Sequence, residues 1–249
     1  MTELVTVLIP LFRPFLTPVE KYALQTCQKH LGDFLITFLT SETLTISDEI
    51  REICPHADSV SFDPRYFVNH SGYSKLLLSS VLYEQFSWSR YLLILELNTE
   101  ITKNELAYWC RQGYDFIQPY PIEGEALSPL QTLQRRFNPK AYFPAGSDTQ
   151  STFEQNSGIS LRRVKAFLKL VKRKKRTINQ FLTDYPAPEN DSLFWEFYVN
   201  RWRPELITPN ALARQHFSKS KAVQNLAPDP NQIPFSLTAL AHTAVPDRL

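Results

Sequence analysis

The stretch SRYLLILELNTEI, residues 89–101, decides the fold. From Tyr91 to Leu95 it is apolar without polar alternation, the pattern of a strand buried on both faces of a parallel sheet. It then stops at Asn98-Thr99-Glu100. On an extended segment, side chains two positions apart point the same way. Asn98 and Glu100 therefore have the shape of an acid-x-acid pair with an amide in its first place, and such a pair binds a hard divalent cation through oxygen.

Working outward, LVTVLIPLF (residues 4–12) is a second short β-branched run bounded by proline. TPVEKYALQTCQKHLG (residues 17–32) then predicts a helix: Thr17 caps, Pro18 takes the first helical position, Glu20 completes a capping box and Gly32 ends it. DFLITFLT and DSVSF read as further strands, with SDEIREIC as a short helix between them. SKLLLSSVLYEQF has helical spacing, TKNELAYWCRQG predicts a helix ending at Gly113, and YDFIQPY predicts a strand. After a weakly patterned region at 122–155, SGISLRRVKAFLKLVKRKKRTINQFL reads as a strand or turn followed by one long basic helix, and ENDSLFWEFYVNRW as an aromatic helix. Alternating strands and helices imply an α/β domain with a mostly parallel central sheet flanked by helices. We expect one domain over residues 1–225 and an irregular, proline-rich tail over 226–249.

Composition narrows the function. The 249 residues contain six glycines, too dispersed to assemble a GxGxxG or Walker-type loop, which disfavours a Rossmann dehydrogenase or a P-loop nucleotidase. Cys27, Cys54 and Cys110 are widely spaced without a Cys-x-x-Cys pair, so each is expected to be a small buried apolar residue. His30, His56, His70, His216 and His242 have no metal-like spacing. No apolar run reaches transmembrane length, and the start lacks a basic leader, so cytoplasmic residence is expected. The net charge of +2 hides an asymmetry. Residues 156–176 hold nine basic and no acidic side chains, leaving eighteen basic against twenty-five acidic residues elsewhere.

In open α/β sheets ligands bind beyond the carboxyl ends of the strands, which directs attention to residues 10–13, 98–100 and 118–121. The ordered set VTVLIPLFR, GYSKLLLSSVLYEQF, YLLILELNTEI, ELAYWCRQGYDFIQPY, NSGISLRRV and ENDSLFW resembles a family of GT-A-type glycosyltransferase-like proteins classed as a domain of unknown function, over about residues 4–218. Where that family has Gln-Leu-Asp at the end of its central strand, this chain has Glu96-Leu97-Asn98. A Gly-Asn-Gly-Gly-Phe-Ser-Leu-Arg segment corresponds to residues 155–162, an acidic pair before Phe-Trp corresponds to Asp191 or its neighbours, and a histidine following Pro-Phe-Gly corresponds to Thr238, with His242 four residues later.

The resemblance implies a GT-A-like fold with a Rossmann-like nucleotide-binding half. It also implies transfer of a sugar, as a hexosyltransferase does, from a nucleotide-sugar donor to a hydroxyl of a glycan or lipid-linked acceptor. Glu100 and Asn98 are then the expected ligands of Mn²⁺ or Mg²⁺. Pro10, Arg13, Asn98, Asn156, Gly158, Ser160 and Arg162 are expected to line the donor or acceptor cleft, Gly158 because a small residue allows close approach to the backbone. Arg162 and Arg163 are the alternative to a metal for neutralising the diphosphate. Asp191 is the candidate base and Glu189 its reserve, although Glu189-Asn190-Asp191-Ser192 serves equally as a capping sequence. The alternative function is a catalytically degenerate relative acting as a binding or scaffold protein. Residues 172–176 read as a solvated helix end or as a contact with an anionic membrane, which would make the protein membrane-peripheral. Nucleic acid is disfavoured, since no aromatic residues alternate with these charges.

Overall fold

The structure, a computed structural model, describes residues 3–119, 158–184, 190–200, 203–220 and 233–238. Strands β1 (Glu3–Pro10), β2 (Leu35–Ser41), β3 (Asp58–Phe62), β4 (Ser89–Leu95), β6 (Phe116–Ile117) and β7 (Ile159–Arg163) form a sheet of order β3-β2-β1-β4-β7-β6. The pairs β1–β2, β1–β4 and β2–β3 are parallel, whereas β7 runs antiparallel to β4 and β6. The expected mostly parallel α/β sheet is present, with β4 at its centre. Three short strands, β5 (Glu100–Ile101), β8 (Ser218–Ser220) and β9 (Ser236–Thr238), make a second sheet of order β5-β9-β8.

Each face of the large sheet carries its own core. Leu93 and Leu95 of β4 pack with Val5, Val7 and Ile9 of β1 against helix α1 (Pro18–Leu31), helix α2 (Asp48–Ile53) and helix α5 (Leu106–Arg111). Leu92 and Ile94 face the other way, toward α3 (His70–Leu77), α4 (Ser80–Gln85), α6 (Val164–Arg173) and α7 (Lys175–Asp184). Both alternate faces of β4 are thus buried, which accounts for its unbroken hydrophobicity. Helix α1 opens with the full capping box expected of Thr17 and Glu20.

Four local expectations are corrected. The SKLLLSSVLYEQF segment forms two helices, because the Ser79 hydroxyl bonds the Leu76 carbonyl (2.8 Å) and competes with helix continuation. The long basic helix also divides, at Lys174, whose ammonium group turns to Glu205 (2.9 Å). The aromatic helix consists of one α-turn, α8 (Asn190–Leu193), that widens into a π-helix over Phe194–Val199, burying the adjacent rings Phe194 and Trp195 together. Finally, the stretch expected to be irregular supplies β9, and Phe235 immediately before it is buried against Phe217 of helix α9 (Ala211–Phe217). The three cysteines are buried and free, as expected.

Candidate active site

The strand order reverses at β1: the chain first builds outward through β2 and β3, then returns on the other side with β4. Crevices at the carboxyl ends of strands open at such a switch point. One of about 300 Å³ lies there, between Pro10, Leu11, Phe12 and Arg13 from the end of β1, the start of α1, His70 of α3, and Glu96, Leu97 and Asn98 following β4. Arg13 donates to Glu20 (2.6 Å), the same carboxylate that caps α1, so the cation on the crevice wall is held from behind. Phe12 meets Phe67, His70 and Tyr73 with ring centroids 5.8, 5.5 and 5.4 Å away, forming a partly exposed aromatic wall.

Beneath the crevice lies a buried polar cluster. Arg162 donates to Asp191 Oδ2 at 2.7 Å, to the Tyr83 hydroxyl at 3.1 Å and to Ser160 Oγ at 3.0 Å, and its guanidinium lies over the rings of Phe167 and Phe116 at 5.5 and 5.8 Å. Loss of hydration raises the Asp191 carboxyl above its ordinary range, and Arg162 works against that rise. Glu96 is raised to about 7, first by burial, then by the negative charge of Asp191, with Arg162 again opposing. Two carboxylates and one arginine therefore share one low-dielectric region, and Glu96 is the acid that reaches the crevice wall. The Tyr73 hydroxyl is buried beside them with no hydrogen-bond partner among the described residues.

Asn98 and Gly158 are in intimate contact. A β-carbon on Gly158 would lie 2.2 Å from Asn98 Oδ1 and 2.3 Å from Thr99 Oγ1. The Gly158 carbonyl accepts from the Glu96 amide (2.8 Å), and Thr99 Oγ1 donates to Asn98 Oδ1 (3.0 Å). A small residue is indeed required at 158, but the space is filled by the Asn98-Thr99 turn rather than by a ligand.

Several expected site residues come together and others do not. Pro10, Arg13 and Asn98 line the crevice. Ser160, Arg162 and Asp191 lie together in the cluster below it. The alternative of two arginines facing a diphosphate is corrected. Arg162 is consumed as above, and Arg163 binds Asp115 (3.0 Å), the Tyr91 hydroxyl (2.8 Å) and the Gly113 carbonyl, because charges at such covered strand positions need protein counter-groups. Glu100 accepts from Tyr22 of α1 (2.8 Å), on the face opposite Asp191, and is not among the residues lining the crevice. The turn at 96–99 breaks the two-residue alternation that would have aligned Asn98 with Glu100; Thr99 N bonds back to the Glu96 carbonyl (3.2 Å). Thr238 is buried in β9 and donates to the Lys219 carbonyl (3.4 Å). Asn156, Glu189 and His242 lie outside the described residues.

Sequence reasoning passed over Glu96, Phe12 and His70. Glu96 was recoverable: Leu92, Ile94 and Glu96 are spaced by two, so an acid at 96 follows directly at the carboxyl end of β4, where ligands of such sheets bind. Phe12 fell within the strand-end segment 10–13, but its meeting with His70 carried no signal, since that depends on how α3 docks on β1.

No group of three or more His, Cys, Asp and Glu side chains suited to a metal ion occurs among the described residues. Glu96 and Asn98 offer one carboxylate and one amide oxygen, a set that fits Mg²⁺ or Mn²⁺ when phosphate and water oxygens complete the shell.

The fold matches solved glycosyltransferases across nearly the whole chain. The galactosyltransferase LgtC, in complex with donor and acceptor sugar analogs, aligns with a TM-score of 0.55 at 12% identity, covering 95% of this chain and 87% of that one. A glycosyltransferase involved in glycosylation of the major capsid of PBCV-1 aligns with a TM-score of 0.53 at 11% identity, covering 96% of both chains. An active-site mutant of LgtC aligns at 0.56 and 12% identity. No curated protein sequence matches. The GT-A-like α/β fold expected from the resemblance is thereby shown. The family model described as "Protein of unknown function (DUF5672)" matches residues 56–237, and the chain belongs to that family.

Proposed function

We propose that the protein is a glycosyltransferase that takes a sugar from a nucleotide-sugar donor and transfers it to a hydroxyl of a glycan or lipid-linked acceptor. The observation carrying this reading is the placement of Glu96 and Asn98 opposite Pro10–Arg13, across one crevice at the switch point of a GT-A-like sheet. The nucleotide lies over the β1 loop, where Phe12 offers a ring for the base and Arg13 a cation for phosphate. Glu96 and Asn98 would hold Mg²⁺ or Mn²⁺ together with the diphosphate, and the ion would offset charge on the departing diphosphate.

In the reaction, the acceptor oxygen forms a bond to the anomeric carbon while the bond from that carbon to the diphosphate oxygen breaks. The acceptor's proton passes to a carboxylate. Asp191 is the proposed base: burial raises its proton affinity above that of an ordinary carboxylate, and Arg162 fixes its position. Glu96, which lines the crevice, feels the charges of both members of this pair.

Calorimetric titration with a panel of nucleoside diphosphates, with and without Mn²⁺, tests the reading together with a donor-hydrolysis assay. Metal-enhanced binding of one nucleotide, and turnover reduced by Asp191→Asn, support it. Silence from every nucleotide supports instead a degenerate GT-A relative that serves as a scaffold.

A further inference from the structure

A basic surface on the helical side stands apart from the crevice. Helix α6 sends Val164, Phe167, Leu170 and Val171 into the second core. At about 100° per residue, Lys165, Lys169, Lys172 and Arg173 fall on the opposite side, and all four are exposed. Lys175 and Arg176 continue the exposed run at the start of α7.

Helix α4 lies edge to edge with this face, because Lys172 Nζ reaches Glu84 Oε1 at 2.7 Å. The outer side of α4 carries Val81, 45% exposed, three residues before Glu84. Trp88, 41% exposed, follows just after the helix and rests against Phe86, with ring centroids 6.1 Å apart. A valine and an indole thus lie beside a field of cations. Lys165, Lys169, Lys175 and Arg176 have no carboxylate in ion-pair contact among the described residues.

A merely solvated helix face ordinarily mixes charge signs, but residues 156–176 contain no acid at all. Lysine heads on apolar stems, set beside an indole, match the headgroup layer of an anionic bilayer, where ammonium groups meet lipid phosphate and tryptophan settles at the interface. Single-stranded nucleic acid would require a succession of stacking rings among the cations, and this face pairs its cations with one indole and an aliphatic chain.

We propose that the α4–α6 face docks the protein on an anionic lipid membrane. The docking does not depend on the chemistry of the crevice, so either reading survives failure of the other.

The test is cosedimentation of the full chain with phosphatidylcholine vesicles, with and without phosphatidylglycerol, at low and moderate salt, alongside binding to a single-stranded RNA. The expected result is partition onto phosphatidylglycerol vesicles at least about tenfold above phosphatidylcholine, weakening as salt rises. At about fivefold per lysine, Lys165→Gln with Lys169→Gln lowers that partition by up to about twenty-fivefold, bounded below by the phosphatidylcholine level. Trp88→Ala lowers it further and removes a blue shift of tryptophan emission on vesicles. These positions are exposed, and an unchanged circular dichroism melt confirms that the variants fold. Equal partition onto both vesicles, partition unaffected by the lysine changes, or RNA binding in preference to vesicles overturns the proposal.

Discussion

Arg162 Nη2 and Asp191 Oδ2 lie 2.7 Å apart with only 2% and 7% of their side-chain surfaces exposed, one charge on a strand and the other on the first turn of a helix twenty-nine residues later. This pair pins α8 to β7 directly below the crevice. Removing one partner strands the other charge, so Asp191→Ala should cost about 3–5 kcal/mol of folding stability. Replacing both, as Arg162→Met with Asp191→Leu, should recover most of that loss. Urea denaturation of the three chains measures this, and the double variant remains inactive if Asp191 is the base.

Glu96 gives a pH signature. Its folded-state value of about 7 exceeds its ordinary 4.5, so folding takes up a proton between the two. The stability from this group is fully present below about pH 4.5 and is lost as pH rises through about 7, by an amount on the order of 1–3 kcal/mol. Glu96→Gln should flatten this part of the stability profile, measured by thermal melts across the range. If Glu96 holds the cation as proposed, cation-dependent nucleotide binding in the unaltered chain should run the other way and strengthen as pH rises through 7, because only the ionised carboxylate would coordinate it.

Gly158→Ala should be disruptive although the backbone there is not left-handed. The added methyl would sit 2.2 and 2.3 Å from the Asn98 and Thr99 side-chain oxygens, forcing apart the hydrogen bond between them. We expect a stability loss of about 1–3 kcal/mol and nucleotide affinity reduced at least about tenfold. Calorimetry and melting together separate these effects from simple unfolding.

Glu100→Gln discriminates between the two acids near the end of β4. Glu100 accepts a hydrogen bond from Tyr22; the glutamine oxygen still accepts it but without the charge, so the change should cost about 1 kcal/mol of stability or less and leave cation-enhanced binding at the crevice within about twofold. Glu96→Gln should abolish the enhancement. A reversed outcome would return the cation to Glu100.

Much of the fold was legible because it rests on local patterns. The unbroken apolar run of β4, the capping box at Thr17 and the β-branched run of β1 each act within a few residues. What stayed hidden depends on long-range encounters. The hydroxyl of Ser79 breaks a helix whose hydrophobic spacing runs straight through it. The turn at residues 96–99 sends Glu100 to α1 and leaves Glu96 beside Asn98. Periodicity paired Asn98 with Glu100, whereas the turn separates them, because alternation holds only while the strand continues. The partners of Arg162 and Arg163 come from Asp191, Tyr83, Asp115 and Tyr91, far away in sequence, so no spacing rule could show that their charges were already committed.

The most direct measurement is titration of the unaltered chain and of Glu96→Gln with nucleoside diphosphates, each with and without Mn²⁺. With Glu96 holding the ion, the expected result is that one nucleotide binds the unaltered chain at least about tenfold more tightly with Mn²⁺, and that Glu96→Gln removes this difference while keeping its fold. Equal binding with and without the ion in both chains, or no binding by any nucleotide, would contradict it.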